Sequence, residues 1–337
     1  MLVSLACQMR ASPEPPLAQN PEIATARPAP RPVSLPADDL PHGDLTEWWY
    51  YTGHLWTEDG RRFGFEHVIF QSVRGQNPIG YLAHAAVTDP QRGRFDYAAR
   101  SAPARSIPSG LDLNVEGWTI QGGGGTAHLI AALDDYAFDL TVTEQKPAAL
   151  HLGGSISFGP AGDSYYYSRT RNAVDGRLRI DGEWVTVTGH AWFDHQWGDF
   201  VVAAVGGWDW YSLQVDNQTE LMLFTLRSPE GERGAVFGTY VDATGATLDL
   251  SPENASVSDL GTWISPHTGA VYPSGWRVQT VAVGPLPALD LELTPILLDQ
   301  ELAFDLAYWE GAVDIVGSVD DAPISGFGYV ELTAYRP

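Results

Sequence analysis

One short run gathers side chains that could do chemistry: Gly189-His190-Ala191-Trp192-Phe193-Asp194-His195-Gln196-Trp197-Gly198-Asp199. Side chains of a strand alternate between its faces. As a strand, the run therefore puts His190, Trp192, Asp194 and Gln196 on one face and Ala191, Phe193, His195 and Trp197 on the other. A carboxylic acid two residues from a tryptophan, on the wall of an apolar cavity, can donate a proton where an aromatic face stabilises the resulting cation. The same run also reads as a core strand with a hydrogen-bonded buried aspartate.

Other apolar stretches are interrupted in the same way. Glu47, Glu66, His67, His84 and Asp209 all sit within strongly apolar segments. Burying such groups is costly unless each finds a partner. Trp and Tyr crowd into residues 48–51, 165–167, 192–197 and 208–211. Aromatic walls with a few convergent polar groups are the usual form of a small-molecule site. Asp194 is the candidate general acid, with Trp192 beside it and His195 as an orienting group if a bulge turns it toward Asp194. Glu47, Trp49, Tyr51, His67, His84, Tyr166, Trp208 and Trp210 are the candidate substrate contacts. By parity Glu47, Trp49 and Tyr51 share a face, and Glu66 lies opposite His67; which faces point inward stays open.

Several chemistries find no support. Gly-x-Ser-x-Gly and His-Glu-x-x-His are absent, and the Gly122–Gly125 run lacks the Lys-Ser/Thr of a phosphate loop. Asp194-His195 with Ser168 or Ser212 would make a hydrolase triad, but nothing marks either serine as activated. His67, His84, His190 and His195 could gather at a metal from different strands, yet they read as hydrogen-bonded strand histidines. No metal or cofactor is expected.

The elements that must position these residues are strands. Glu47–Leu55 and Phe63–Gln71 flank a Glu58-Asp59-Gly60 turn and predict a hairpin. Tyr81–Thr88, Leu111–Val115, Trp118–Gln121 and Ala137–Thr143 follow, with Gly and Pro between them. Many short strands at regular spacing imply a sandwich or barrel. Pro295–Leu306 is the best candidate for a short helix or wide strand. An internal echo links Trp48-Trp49-Tyr50-Tyr51-Thr52 to Trp208-Asp209-Trp210-Tyr211-Ser212. A second links Gly189–Asp194 to Gly326–Glu331. Both occur in the same order, which implies two related β-lobes joined near Ala203–Gly207.

At 337 residues the chain is long for one domain. Its formal charge of −23 opposes nucleic-acid binding and docking by charge on an anionic membrane. The single cysteine, Cys7, follows Leu5-Ala6 in a pattern that resembles a lipoprotein processing site. Lipidation of Cys7 would tether a soluble, extracytoplasmic body to a membrane. Residues from about 10 to 41 are rich in Pro and Ala and read as an extended tail.

The chain resembles the AttH-like / carotenoid 1,2-hydratase family of lipocalin-like proteins, often labelled secreted hydrolases. The blocks that carry the resemblance are His42–Gly53, Phe63–Gln71, Tyr165–Arg171, Gly189–Gly198, Trp208–Ser212 and Tyr308–Tyr335. It implies an all-β protein of two lipocalin-like antiparallel barrel or sandwich domains packed together, with few short helices. The expected limits are a tail over 1–39 and domains over 40–203 and 204–337. In the hydratase branch an acid in an aromatic-x-Asp strand protonates an isoprenoid double bond and water captures the cation. Asp194 stands in that acid's place and Trp192 in that of a Tyr. The hydratases' His-x-Trp motif is replaced here by Tyr165-Tyr166-Tyr167-Ser168. Other relatives are cyclases that need a shaped apolar cavity. The expected function is acid-assisted hydration, cyclisation or isomerisation of an apolar polyene or isoprenoid. The alternatives are a lipid- or pigment-binding protein of the cell envelope, or a secreted hydrolase.

Overall fold

The computed structural model describes residues 31–74, 77–103, 106–201, 206–228 and 230–336. Cys7, the proline-rich stretch up to residue 30 and residues 202–205 of the expected join lie outside the described residues.

The chain before the join forms β1 (Thr46–Thr57), β2 (Arg62–Arg74), β3 (Asn77–Asp89), β4 (Arg94–Ala102), β5 (Leu111–Val115), β6 (Trp118–Gly123), β7 (Thr126–Ala132), β8 (Tyr136–Glu144), β9 (Ala149–Ser157), β10 (Asp163–Ile180) and β11 (Glu183–Gly198). They make one antiparallel sheet in the order β4-β3-β2-β1-β11-β10-β8-β7-β6-β5, with β9 also beside β10. The rest forms β12 (Trp208–Val215), β13 (Glu220–Arg227), β14 (Arg233–Val241), β15 (Thr247–Leu250), β16 (Ala255–Asp259), β17 (Thr262–Ile264), β18 (Val271–Pro273), β19 (Trp276–Thr280), β20 (Leu289–Pro295), β21 (Glu301–Leu302), β22 (Tyr308–Val319) and β23 (Ala322–Thr333). Here the order is β15-β14-β13-β12-β23-β22-β20-β19-β16, with β21 beside β22 and β17–β18 a separate hairpin.

The two orders match strand for strand except that β5 has no counterpart in the second sheet. β1 takes the place of β12, β11 that of β23, and β10 that of β22; even β9 and β21 correspond. Tyr50 pairs with Asp194 in the first sheet, and Trp210 pairs with Glu331 in the second. The two sequence echoes are therefore the same central strand pair seen twice. Both sheets are nearly closed and barrel-like, as expected for an all-β, lipocalin-like protein.

Edge-ward strands such as β5 and β19 alternate buried and exposed residues, so one face meets water. The middle strands do not alternate. From Trp192 to Gly198 every residue of β11 is buried. One face of β1, β10 and β11 lies against the interior of the first barrel, where Trp49, Tyr51, Phe65, Phe193 and Trp197 pack. The other face meets the second sheet through Tyr50, Tyr166, Trp192, Trp210, Phe224 and Tyr329. Gly64 lies at this contact. A Cβ there would sit 2.6 Å from Tyr329 Oη and 2.9 Å from Ala312 Cβ, so only glycine allows β2 so close. Residues Pro32–Pro337 form one compact unit.

Two expectations change. The end of the proline-rich tail belongs to the fold. Val33, Leu35 and Leu40 pack on the first core, and buried Asp39 holds Arg169 at 2.8 Å. Apolar residues spaced between the prolines can be buried without forming helix or strand. Pro295–Leu306 contains no helix; apart from the end of β20 and the short β21 it is irregular. Its carbonyls are taken by side chains instead, Gln300 Nε2 on Leu297 at 2.7 Å and Trp309 Nε1 on Leu298 at 2.8 Å.

Candidate functional site between the sheets

The face of β11 that carries Trp192 and Asp194 looks toward the second sheet. Asp194 is enclosed by its own sheet. Trp192 Nε1 donates to Oδ1 at 2.6 Å, Ser168 donates to the same oxygen, and Tyr166 Oη lies 2.5 Å from Oδ2. The second sheet closes this shell, because Trp210 Nε1 donates to Tyr166 Oη at 2.9 Å. Burial pushes the Asp194 carboxyl up to about 7, against the pull of its three hydrogen bonds.

Three more acids face the same space. Glu331 occupies in the second sheet the position Asp194 holds in the first, and accepts from Trp208 Nε1 at 2.7 Å. Burial pushes it up to about 7, and the charge of Asp194 adds to the shift. Glu310 accepts from Tyr50 Oη at 2.6 Å across the sheet contact. Glu66 accepts from Tyr308 Oη at 3.1 Å, also across it, and the Tyr308 hydroxyl lies 2.7 Å from His84 Nδ1. Burial, and then neighbouring carboxylates, raise both: Glu66 to about 8 and Glu310 well above the carboxylate range. Each keeps one buried oxygen, Oε2, without a hydrogen-bond partner. Like charges so placed cannot all ionise, so neutral acids that can donate are the stable state. The partners of these four carboxyls are Tyr, Ser and Trp side chains, none of them a fixed cation.

Ser168 has a further neighbour. His151 Nε2 lies 2.6 Å from its Oγ, and His151 Nδ1 lies 2.9 Å from Thr239 Oγ1. Burial lowers the His151 imidazole to about 3, so it is neutral. Because Ser168 gives its proton to Asp194, His151 Nε2 must be the donor toward Oγ. It is therefore not set up to activate Ser168 as a nucleophile.

The residues singled out from sequence divide between two places. Asp194, Trp192, Tyr166, Trp208, Trp210 and His84 gather at the contact between the sheets. Glu47, Trp49, Tyr51, His67 and His195 lie on the opposite face, inside the first barrel. The β1–β11 ladder runs without a bulge from Thr46–Gly198 to Thr57–Val187. His195 is thus kept on the far side of the sheet from Asp194 and bonds Glu47 at 2.8 Å, not the acid it was expected to orient. Sequence reasoning missed Tyr50, His151, Tyr308, Glu310 and Glu331 as members of this site. The signal that marked Glu66, an acid inside an apolar strand, also marks Glu310 and Glu331.

The AttH-like family model matches residues 26–335. An AttH protein from Nitrosomonas europaea of known structure is 30% identical, over 90% of this chain and 98% of its own, with a TM-score of 0.79. Kievitone hydratase from Nectria haematococca is 20% identical over 90% of this chain and 95% of its own, with a TM-score of 0.71. CghA is 12% identical over 90% and 94%, with a TM-score of 0.58. The last two share the fold. No curated protein matches the chain. With its two-barrel architecture and a family match over most of its length, the chain belongs to the AttH-like family.

Proposed function

We propose that the protein is a hydratase- or cyclase-type enzyme that protonates an unsaturated, apolar, polyene- or isoprenoid-like molecule at the contact between its two sheets. The observation that carries this reading is Asp194. It is buried, held at about 7, and set among Trp192, Trp210, Tyr50 and Tyr166. An acid with that pKa is a proton donor near neutrality, and the aromatic faces around it suit a carbocation. Asp194 delivers its proton to an alkene carbon. The cation then takes water and releases a proton to a carboxylate, takes a second double bond of the same molecule, or loses a neighbouring proton. These outcomes are hydration, cyclisation and isomerisation. The names of the neighbours agree with this range in part, since one is a hydratase, and CghA has been solved holding Sch210972.

The test is direct. Purified protein is incubated with a panel of polyenes and isoprenoids, and products are read by mass spectrometry. Gain of one water, or an isomer of unchanged mass and altered retention, supports the proposal. Recovery of every compound unchanged, with one of them bound, supports a non-catalytic carrier. The hydrolase reading requires an activated serine. With His151 as donor toward Ser168, a fluorophosphonate probe is expected to leave Ser168 unlabelled, and labelling would revive that reading.

A further inference from the structure

On the opposite face of the same strands, inside the first barrel, three side chains converge. His42 precedes β1, Glu47 lies near its start, and His195 comes from β11. Glu47 Oε1 lies 2.7 Å from His42 Nδ1 and 2.8 Å from His195 Nε2. The three ligand-type atoms lie within 4.8 Å of one another. A second ring of contacts fixes each group from behind. Glu47 Oε2 accepts from the His42 backbone N–H at 2.8 Å and from Gln71 Nε2 at 3.0 Å. His42 Nε2 faces Asp38 Oδ1 at 3.3 Å. His195 Nδ1 faces Tyr167 Oη at 3.3 Å, and that hydroxyl donates to Asp39 Oδ1 at 2.5 Å.

The donors can be counted. Asp38 offers only acceptors, so His42 Nε2 carries the hydrogen. The one proton of Tyr167 goes to Asp39, so toward His195 the phenol oxygen is an acceptor and Nδ1 carries the hydrogen. A neutral imidazole has a single N–H. His42 Nδ1 and His195 Nε2 are then both lone pairs, and both aim at a carboxylate oxygen. Three Lewis bases in contact need a cation among them, either a second proton on His42, whose pKa Glu47 and Asp38 raise against the effect of burial, or a metal ion. Outer N–H groups held by a carboxylate or another acceptor, with the inner nitrogens free, is the arrangement typical of metal-bound histidines.

We propose that His42, Glu47 and His195 form a binding site for one divalent first-row transition-metal ion. Two imidazoles and one carboxylate suit zinc, iron or cobalt, and three protein ligands leave coordination positions for water. Tetrahedral bonds of about 2.1 Å separate ligand atoms by about 3.4 Å, so the triad opens by about 0.7 Å on loading. His42 supplies the freedom, because it precedes the strand and its side chain retains 14% exposure, whereas Glu47 and His195 are fully buried. Spacing alone gave no reason to join His195 to His42 and Glu47; the fold does. The site is separate from Asp194 and does not depend on the function proposed above.

Full-length, untagged protein stripped with chelator is titrated with Zn2+ by calorimetry and with Co2+ by visible absorption. The expected result is one ion per chain with a Kd below about 1 μM, and intense d–d bands for Co2+. His42→Asn removes that equivalent. Asp38→Asn weakens it by about 10- to 100-fold, as loss of an outer partner does. His128→Asn, at a half-buried histidine bonded to Asp139, leaves it unchanged. Circular dichroism checks folding. Absence of the tight equivalent in the wild type overturns the proposal whatever the variants do, and means that extra protons bridge the triad. Unchanged binding by folded His42→Asn overturns it as well.

Discussion

Asp194→Asn is expected to lower turnover by about a hundred- to ten-thousandfold, the usual share of a general acid, and to leave the fold intact. The hydrogen bonds explain why both outcomes go together. An asparagine Oδ1 still accepts from Trp192 Nε1 and Ser168. Its Nδ2 takes the place of Oδ2, to which Tyr166 Oη donates in the wild type, so that hydroxyl must turn and accept instead. The variant mimics the protonated acid in shape and bonding and lacks only the transferable proton. In the wild type the group is protonated below about 7, so turnover falls as pH rises through that value. Urea denaturation and turnover of a converted polyene check the two halves together. Retained activity in a folded Asp194→Asn protein removes Asp194 as the acid.

Glu66→Gln is expected to stabilise the protein increasingly as pH rises. The folded-state value of Glu66 is raised to about 8, from an ordinary value near 4.5. A group raised in this way contributes stability that is fully present below the unfolded value. The contribution is lost as pH rises through the folded value. Glutamine keeps the shape and cannot ionise, so its advantage over glutamate grows between about pH 5 and pH 8 and then levels off. Its size at alkaline pH is on the order of 5 kcal/mol, from the rise from 4.5 to about 8 at about 1.4 kcal/mol per pH unit. Glu310→Gln follows the same sign, because burial, and then Glu66 and Glu331, raise Glu310 in turn. Urea melts of variant and wild type from pH 5 to pH 9 measure the difference. A difference independent of pH would mean that Glu66 is already ionised in the folded chain.

Much of the fold was legible in the sequence. The β1–β2 hairpin, β3, β5, β6 and β8 follow from alternation and turn residues, and the repeated aromatic strand announced two lobes. The division of the candidate site was not legible, and the reason is physical. Alternation reveals a face only when the other face meets water. The central strands β1, β10 and β11 have protein on both sides, so Glu47 and Asp194 look equally buried although they face opposite ways. Glu310 and Glu331 come from the other sheet, and only long-range packing brings them to Asp194. Prolines around Val33, Leu35 and Leu40 hid their burial, because an extended segment can pack without periodicity.

The proposed chemistry depends on Asp194 being a neutral acid poised to give up a proton. Infrared difference spectra of wild type minus Asp194→Asn, taken across pH, test it most directly. A protonated-carboxyl C=O band, belonging to Asp194 and titrating away with a midpoint near 7, is expected. A band already lost by about pH 4, the range of an ordinary aspartate, would contradict it.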